Sequence, residues 1–228
     1  PDKSLMTSVL NDYKEWLNNP DNSGSRRKFY EYVYRGGGKK VITTLPGKVH
    51  RQFATDELDE MCDYIIEKGK DENVYLNPNS RRADLPPGAR GSDDDITSVI
   101  AFVADVDVLG PAHKEQDLPP TKEAAIDAIN EASIKPSVIV DSGYGIYAYY
   151  FFENPIDVTN EESRKYVSSL YKGFGKYLAD MFAEKGWKLD PVFNLSHMFR
   201  APGSLNHKLD SEKPECRVII DNGIFYSI

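Results

Sequence analysis

Residues 96–109 set the frame for the rest of the chain. Ile100, Phe102, Ala104, Val106 and Val108 fall on one side of an extended strand, while Asp105 and Asp107 fall together on the other. The remaining pattern predicts strands and helices in irregular alternation. Leu5, Val9, Leu10, Tyr13, Trp16 and Leu17 recur at helical spacing over residues 4–18. The sequence NNPDNSGS breaks that helix, RGGGKK makes a turn, and KKVITTLPG reads as a short β-branched strand. A second helix starts at Thr55 or Asp56 and stops at Gly69. NVYLNP reads as a strand, NSRRADLPPGARGSDDD as a long charged loop, and residues 121–133 as a helix behind Thr121. PSVIVDSGYGIYAYYFF predicts two strands around a glycine turn. Thr159 and Glu162 form the pattern of a capping box for a long helix reaching about Gly186, with Gly173 and Gly175 weakening its middle. Near the end, Asn222-Gly223 signals a hairpin. Hairpins mixed with crossovers predict an α+β fold with mixed sheets in two lobes rather than a doubly wound parallel sheet.

Composition narrows this little. The chain of 228 residues, 40% hydrophobic and 11% aromatic, can bury a sizeable core. No run approaches the roughly 18 apolar residues of a membrane span, so no membrane partner is expected. Pro1 in place of Met and the lack of a leader pattern read as a piece of a longer, cytoplasmic protein. Cys62 and Cys216 lie far apart without a CxxC pair, which offers neither a disulfide framework nor a zinc site.

Charge distribution says more than the net charge of −8. Between Arg26 and Arg51, eight basic residues face one acid, Glu31, giving +7. Arg26, Arg27 and Lys28 are joined there by Phe29, Tyr30, Tyr32 and Tyr34, a mixture that single-strand binders use to neutralise phosphates and stack bases. The same pattern suits a solvated basic edge above buried rings.

Three constellations carry candidate chemistry. Asp105 and Asp107 offer paired oxygen ligands for a hard cation such as Mg²⁺ or Mn²⁺, or are solvated acids at a strand end. In DSGYGIYAYY, Gly143 and Gly145 permit a turn that aims N–H groups at an anion with the Ser142 hydroxyl beside them, or an ordinary hairpin. In LDPVFNLSHMFRAPGSLNHK, Asp190 is followed by Arg200, Ser204, Asn206, His207 and Lys208. Cations and short donors on a Pro-Gly turn suit a triphosphate, or a polar surface turn.

Taken in order, these motifs resemble those of the archaeo-eukaryotic primase superfamily, in particular the primase-polymerase branch of plasmids, phages and CRISPR-associated proteins. The resemblance spans about residues 72–221. It implies a two-lobed primase-type α+β fold with an RNA-recognition-like C-terminal sheet and the active site in the cleft. Residues 1–70 would then pack as a helical, basic segment on a catalytic core of residues 71–228, within one structural domain. By position, Asp105, Asp107 and Asp190 match the catalytic, metal-binding carboxylates. Ser142 matches the phosphate-binding motif, and Arg200 and Lys208 match the basic residues that grip the triphosphate. Gly143, Tyr147, Ser204, Asn206 and His207 fall in the same nucleotide-binding stretches; Asn77 and Arg81 are candidates for nucleotide and Arg90 for template. Tyr147 stands where the family commonly has His, and a neutral phenol lacks an imidazolium's charge.

The implied activity is template-directed nucleotidyl transfer, as DNA primase and DNA polymerase, on single-stranded DNA template and primer with NTPs or dNTPs. Its cofactors would be Mg²⁺ or Mn²⁺. CRISPR adaptation proteins enter as candidate partners. A metal-dependent nuclease and a non-catalytic nucleotide- or origin-binding module are the alternatives, and the complete set of three carboxylates weighs against the second.

Overall fold

The computed structural model describes residues 23–228, so the helix expected over residues 4–18 lies outside the described residues. Four α-helices and nine strands follow. The first helix, α1 (Ser23–Tyr34), forms where the sequence pattern predicts no element. Phe29, Tyr30 and Val33, spaced one helical turn apart, are buried on one face of it. Strands β1 (Lys40–Leu45) and β2 (Val49–Phe53) form a hairpin. Helix α2 (Leu58–Lys68) ends at Gly69 as expected but is capped by Glu57, whose side chain instead accepts from the Ala54 N–H at 2.6 Å.

Strands β3 (Asn73–Leu76) and β4 (Ser80–Arg81) lead through a short 3₁₀ turn at Asp93–Asp95 to β5 (Ile96–Asp107). Helix α3 (Lys122–Glu131) starts behind Thr121, whose hydroxyl accepts from the Ala124 N–H at 3.1 Å. Strands β6 (Val138–Asp141) and β7 (Gly145–Asp157) flank the glycine turn, and helix α4 (Glu161–Glu184) follows. Its cap is Asn160, accepting from the Ser163 N–H at 2.8 Å; Thr159 is engaged by Asp157 instead. The chain closes with β8 (Phe199–Arg200) and β9 (Arg217–Asp221). No hairpin follows Asn222-Gly223, because Tyr226 returns to bridge Phe152 at the outer end of β7.

The strands make two antiparallel sheets, ordered β2-β1-β3-β8 and β4-β5-β7-β6-β9. The unit β5-α3-β6-β7-α4, with spatial order β5-β7-β6, gives the RNA-recognition-like sheet that the family resemblance implies. Helices α3 and α4 cover one of its faces, burying Phe102, Ala104, Val106 and Val108 against Ile126, Tyr171 and Phe182. Its other face shares a second core with α1, α2 and the four-stranded sheet. Ile100 belongs to this second core, not to the first as strict alternation predicted. The register of β5 on β7 shifts between Val99 and Ala101, and one extra residue reverses which face each later side chain takes. The four-stranded sheet takes strands from either side of residue 70.

Candidate active site

Asp105 and Asp107 project from the end of β5, both half-buried, on the face turned away from α3 and α4. Their cross-strand partners are Tyr147 and Gly145. Gly145 is required for closeness: a Cβ there would lie 2.4 Å from the Val106 carbonyl and 3.2 Å from the Asp107 Cα. Burial pushes the Asp105 carboxyl well above its usual range. The charges of Asp107 and Asp190 push it further, while Lys208 and Arg200 oppose them. Asp107 is also raised, first by burial, with Asp190 and Glu115 adding to it against His113 and Lys208. Asp190 therefore acts on both β5 carboxylates.

Asp190 is held there by its neighbours. Leu189 and Phe193 are buried in the core beneath α4. Gly175 leaves the notch that admits the Phe193 ring, since a Cβ at Gly175 would stand 2.2 Å from it. Far from merely weakening α4, this glycine seats the segment that carries Asp190. On the other side, the Lys188 N–H donates to the Asp117 carbonyl at 2.6 Å, tying the segment to the loop after β5.

Among the described residues, no three His, Cys, Asp or Glu side chains are gathered tightly enough to cage one ion by themselves. The donor set nevertheless fits Mg²⁺ or Mn²⁺, which take carboxylate oxygens and fill the remaining shell with water and substrate phosphate. Raised, mutually repelling carboxylates are what a cation would relieve.

The cationic side is built from the motif after Asp190. Arg200 is 5% exposed, with its guanidinium donating to Asn73 and to the Tyr75 hydroxyl at 3.1 Å and stacked 5.0 Å from the Tyr75 ring. Its Nε is buried without a hydrogen-bond partner among the described residues. Lys208 is exposed at the rim. Asn206 splints the two loops, donating to the Ser142 carbonyl at 2.7 Å and accepting from the Lys208 N–H at 3.0 Å.

Several sequence-predicted residues turn out to have structural work. The Ser204 hydroxyl donates to the Ala201 carbonyl at 2.7 Å, and His207 contacts the Gly69 carbonyl at 3.2 Å behind α2. Asn77 is fully enclosed, donating to the Leu195 and His197 carbonyls and accepting from Asn79 and Arg81. Arg81 is fully buried too, held by Asn77, Asn79 and Arg90 oxygens. These side chains shape the 77–81 loop and leave no face for a nucleotide. Two amides of the glycine turn are already engaged within the protein: the Gly143 N–H is taken by Asp141 at 2.7 Å and the Ser142 N–H by the Gly145 carbonyl at 3.0 Å. Gly143 itself has φ +99°, and a Cβ there would meet Pro214 at 2.9 Å.

The basic stretch is likewise corrected. Phe29 and Tyr30 are core residues, so they cannot stack bases. Arg27 pairs with Glu31 and Asp59, and Lys28 pairs with Asp221 at 2.7 Å. Arg26 makes no ion pair among the described residues and lies against Gly203 of the Pro-Gly turn. Arg90 is exposed and lines a cleft of about 480 Å³ with Lys48, His50, Tyr75, Ser196 and His197. Neither cysteine is bonded, and Cys216 packs behind Arg200.

One side chain was missed. His113, in the loop after β5, places Nδ1 3.0 Å from Asp107 Oδ2 and 3.4 Å from Lys208 Nζ. A single histidine in a Pro/Gly loop carries no spacing signal.

The assembled architecture is similar in fold to solved primase domains. The primase-polymerase AEP domain of cyanophage S-2L matches it with a TM-score of 0.53 at 15% identity, over 90% of this chain and 93% of that one. A crystal structure of the primase RepB′ matches with a TM-score of 0.51 at 13% identity, over 88% of this chain and 58% of that one. The RepB′ catalytic domain in complex with initiator DNA gives 0.50 at 14%, over 88% and 87%. No protein-family profile and no curated protein sequence matches the chain. No helix among the described residues is long and apolar enough to cross a membrane.

Proposed function

We propose that this chain is a member of the primase-polymerase branch and catalyses template-directed nucleotidyl transfer, as DNA primase and DNA polymerase. Its partners are single-stranded DNA template, primer and NTPs or dNTPs. The observation that carries the reading is the surroundings of Asp105: two further carboxylates, Asp107 and Asp190, opposed by Lys208 and Arg200. The DNA bound by one RepB′ neighbour supports the same substrate class.

Asp105, Asp107 and Asp190 would hold Mg²⁺ or Mn²⁺. Such ions supply Lewis acidity at the attacking 3′-hydroxyl and the triphosphate. The chain's own part is electrostatic and positional. Arg200, braced by Asn73 and Tyr75, supplies a fixed, largely buried positive charge beside the acids. Lys208 adds a mobile charge at the rim. Burial and then the Asp105 charge keep the Tyr147 phenol protonated, so it acts as a neutral spacer beside Asp105. Attack on the α-phosphorus then extends the strand by one nucleotide and releases pyrophosphate. A nuclease would need the carboxylates but not the cationic side, which favours transfer over hydrolysis. The mobile-element or CRISPR-associated setting rests on the motif resemblance alone.

The test supplies single-stranded DNA, Mg²⁺ or Mn²⁺ and labelled nucleotides, with and without primer. Incorporation by the wild type and its loss in Asp105→Ala and Asp107→Ala is expected. Near-normal extension by either variant overturns the site. Degradation without incorporation points to the nuclease, and nucleotide binding without pyrophosphate release to the non-catalytic module.

A further inference from the structure

Helix α4 carries two apolar seams. Val167, Tyr171, Leu178 and Phe182 turn into the core. About a third of a turn away, Tyr166, Leu170, Gly173 and Tyr177 follow one another at the alternating four- and three-residue spacing of a helix–helix contact stripe. Tyr166, Leu170 and Tyr177 are exposed, Tyr166 by 64%, and Gly173 has open space where a Cβ would stand. One seam suffices to seat a helix on its sheet, so the second is available to another element.

This second seam forms one wall of a groove of about 670 Å³, floored by Phe102, Tyr150 and Phe152 and closed on the far side by Tyr226 and Ile228. No charged side chain lines it. Its tyrosine hydroxyls are unequally served. Tyr177 accepts from the Ser133 N–H at 3.0 Å, and Tyr226 donates to the Lys135 carbonyl at 2.5 Å. Tyr150, 2% exposed, has a hydroxyl with no hydrogen-bond partner among the described residues. A buried phenol left unpaired costs free energy that a polar group arriving at that depth recovers. The groove therefore calls for an uncharged occupant, apolar along about three helical turns and bearing a hydroxyl or carbonyl for Tyr150.

The chain's own stripe meets those terms. With two copies antiparallel and Tyr166 of one level with Tyr177 of the other, the same register brings Leu170 level with Gly173 of the second copy, and the two-fold axis repeats both contacts. A bulky side chain thus meets a notch, and an aromatic ring meets an aromatic ring. Tyr166 of the second copy enters the groove beside Tyr177, bringing the hydroxyl that Tyr150 lacks.

We propose that this groove is a self-association surface, in which two copies of the chain pack their α4 helices antiparallel with Leu170 of each seated over Gly173 of the other. Asp105 and Asp107 lie on the face turned away from α4, so both acid sites stay open in the pair, and the interface does not depend on how those sites are read.

Sedimentation velocity of the full chain from about 1 to 200 µM, the range suited to a small interface, tests this. The wild type should pass from monomer to dimer. Gly173→Leu should keep its melting temperature at or above that of the wild type, because leucine is the better helix former and the position is open, yet it should weaken association at least about tenfold. Adding Leu170→Ala to Gly173→Leu exchanges knob and notch and should recover part of the affinity. Tyr166→Cys combined with Tyr177→Cys should give a disulfide-linked dimer under oxidised glutathione that neither single variant gives. Within one copy these two positions stand about 16 Å apart along the helix, too far to bridge. A monomer throughout the range overturns the proposal and leaves the groove to a different chain. A dimer unaffected by Gly173→Leu, or one without the 166–177 link, places the contact elsewhere and overturns it as well.

Discussion

Tyr147 and Asp105 are direct partners across the β5–β7 ladder, which sets a phenol and a carboxylate side by side on the floor of the site. The same phenolic oxygen accepts from the Arg200 N–H at 3.4 Å. One residue therefore joins the strand carrying the acids to the strand carrying the cation, across the boundary between the two sheets.

Tyr147→Phe should cost about 1 kcal/mol of stability, the usual worth of a hydrogen bond, with up to about 3 kcal/mol where a buried partner is stranded. Urea unfolding measures it. Retained stability together with unchanged nucleotide affinity would reduce Tyr147 to simple packing.

Gly175→Ala sets two magnitudes against each other. Alanine favours a helix over glycine by roughly 0.5–1 kcal/mol, whereas forcing a methyl into the Phe193 ring costs roughly 1–3 kcal/mol as overpacking. The clash should win, lowering the melting temperature and displacing the segment of Asp190, so extension activity falls as well. Adding Phe193→Leu should restore part of the stability; a more stable Gly175→Ala protein would contradict the packing described.

Lys40 is fully buried, donating to the Pro78 carbonyl at 2.9 Å and to Ser80 Oγ at 2.7 Å, and pairs with no carboxylate among the described residues. Burial, aided by the Arg81 charge, pulls it down from 10.5 to about 7. Below pH 7 both folded and unfolded chains hold the proton and the folded state bears the whole cost of burying it. Between about 7 and 10.5 the unfolded chain holds a proton the folded one has shed, so stability rises with pH across that window. Melts from pH 6.5 to 9.5 should show this rise, and Lys40→Met should flatten it. An equal slope in the variant would assign the pH dependence elsewhere.

Of the basic residues on α1, Arg26 is the one beside the Pro-Gly turn and without an acidic partner among the described residues. Arg26→Glu should weaken single-stranded DNA binding and lower its salt slope by about 1, the signature of one phosphate contact. Arg27→Glu should do less, since Asp59 and Glu31 already neutralise that side chain. Equal effects from both would mean a diffuse field rather than a contact.

Much of the scaffold was legible because period and cap signals are local. The strand with Asp105 and Asp107 and the Thr121 cap follow directly from spacing. What escaped depends on tertiary context. The shift at Val99–Ala101 moves Ile100 to the opposite core with no mark in the sequence. Helix α1 was hidden because Phe29 and Tyr30, interleaved with charges, mimic a stacking surface. At the site, the acids and Arg200 stood out as motifs, whereas the inward duties of Asn77, Arg81, Ser204 and His207 and the arrival of His113 arise only when distant loops meet.

The pairing of β3 with β8 joins residues 75–76 to residues 199–200. During synthesis, the outer edge of the four-stranded sheet stays bare until those two late residues have left the ribosome. Nascent chains halted before that point carry a sticky rim in place of a finished four-stranded sheet.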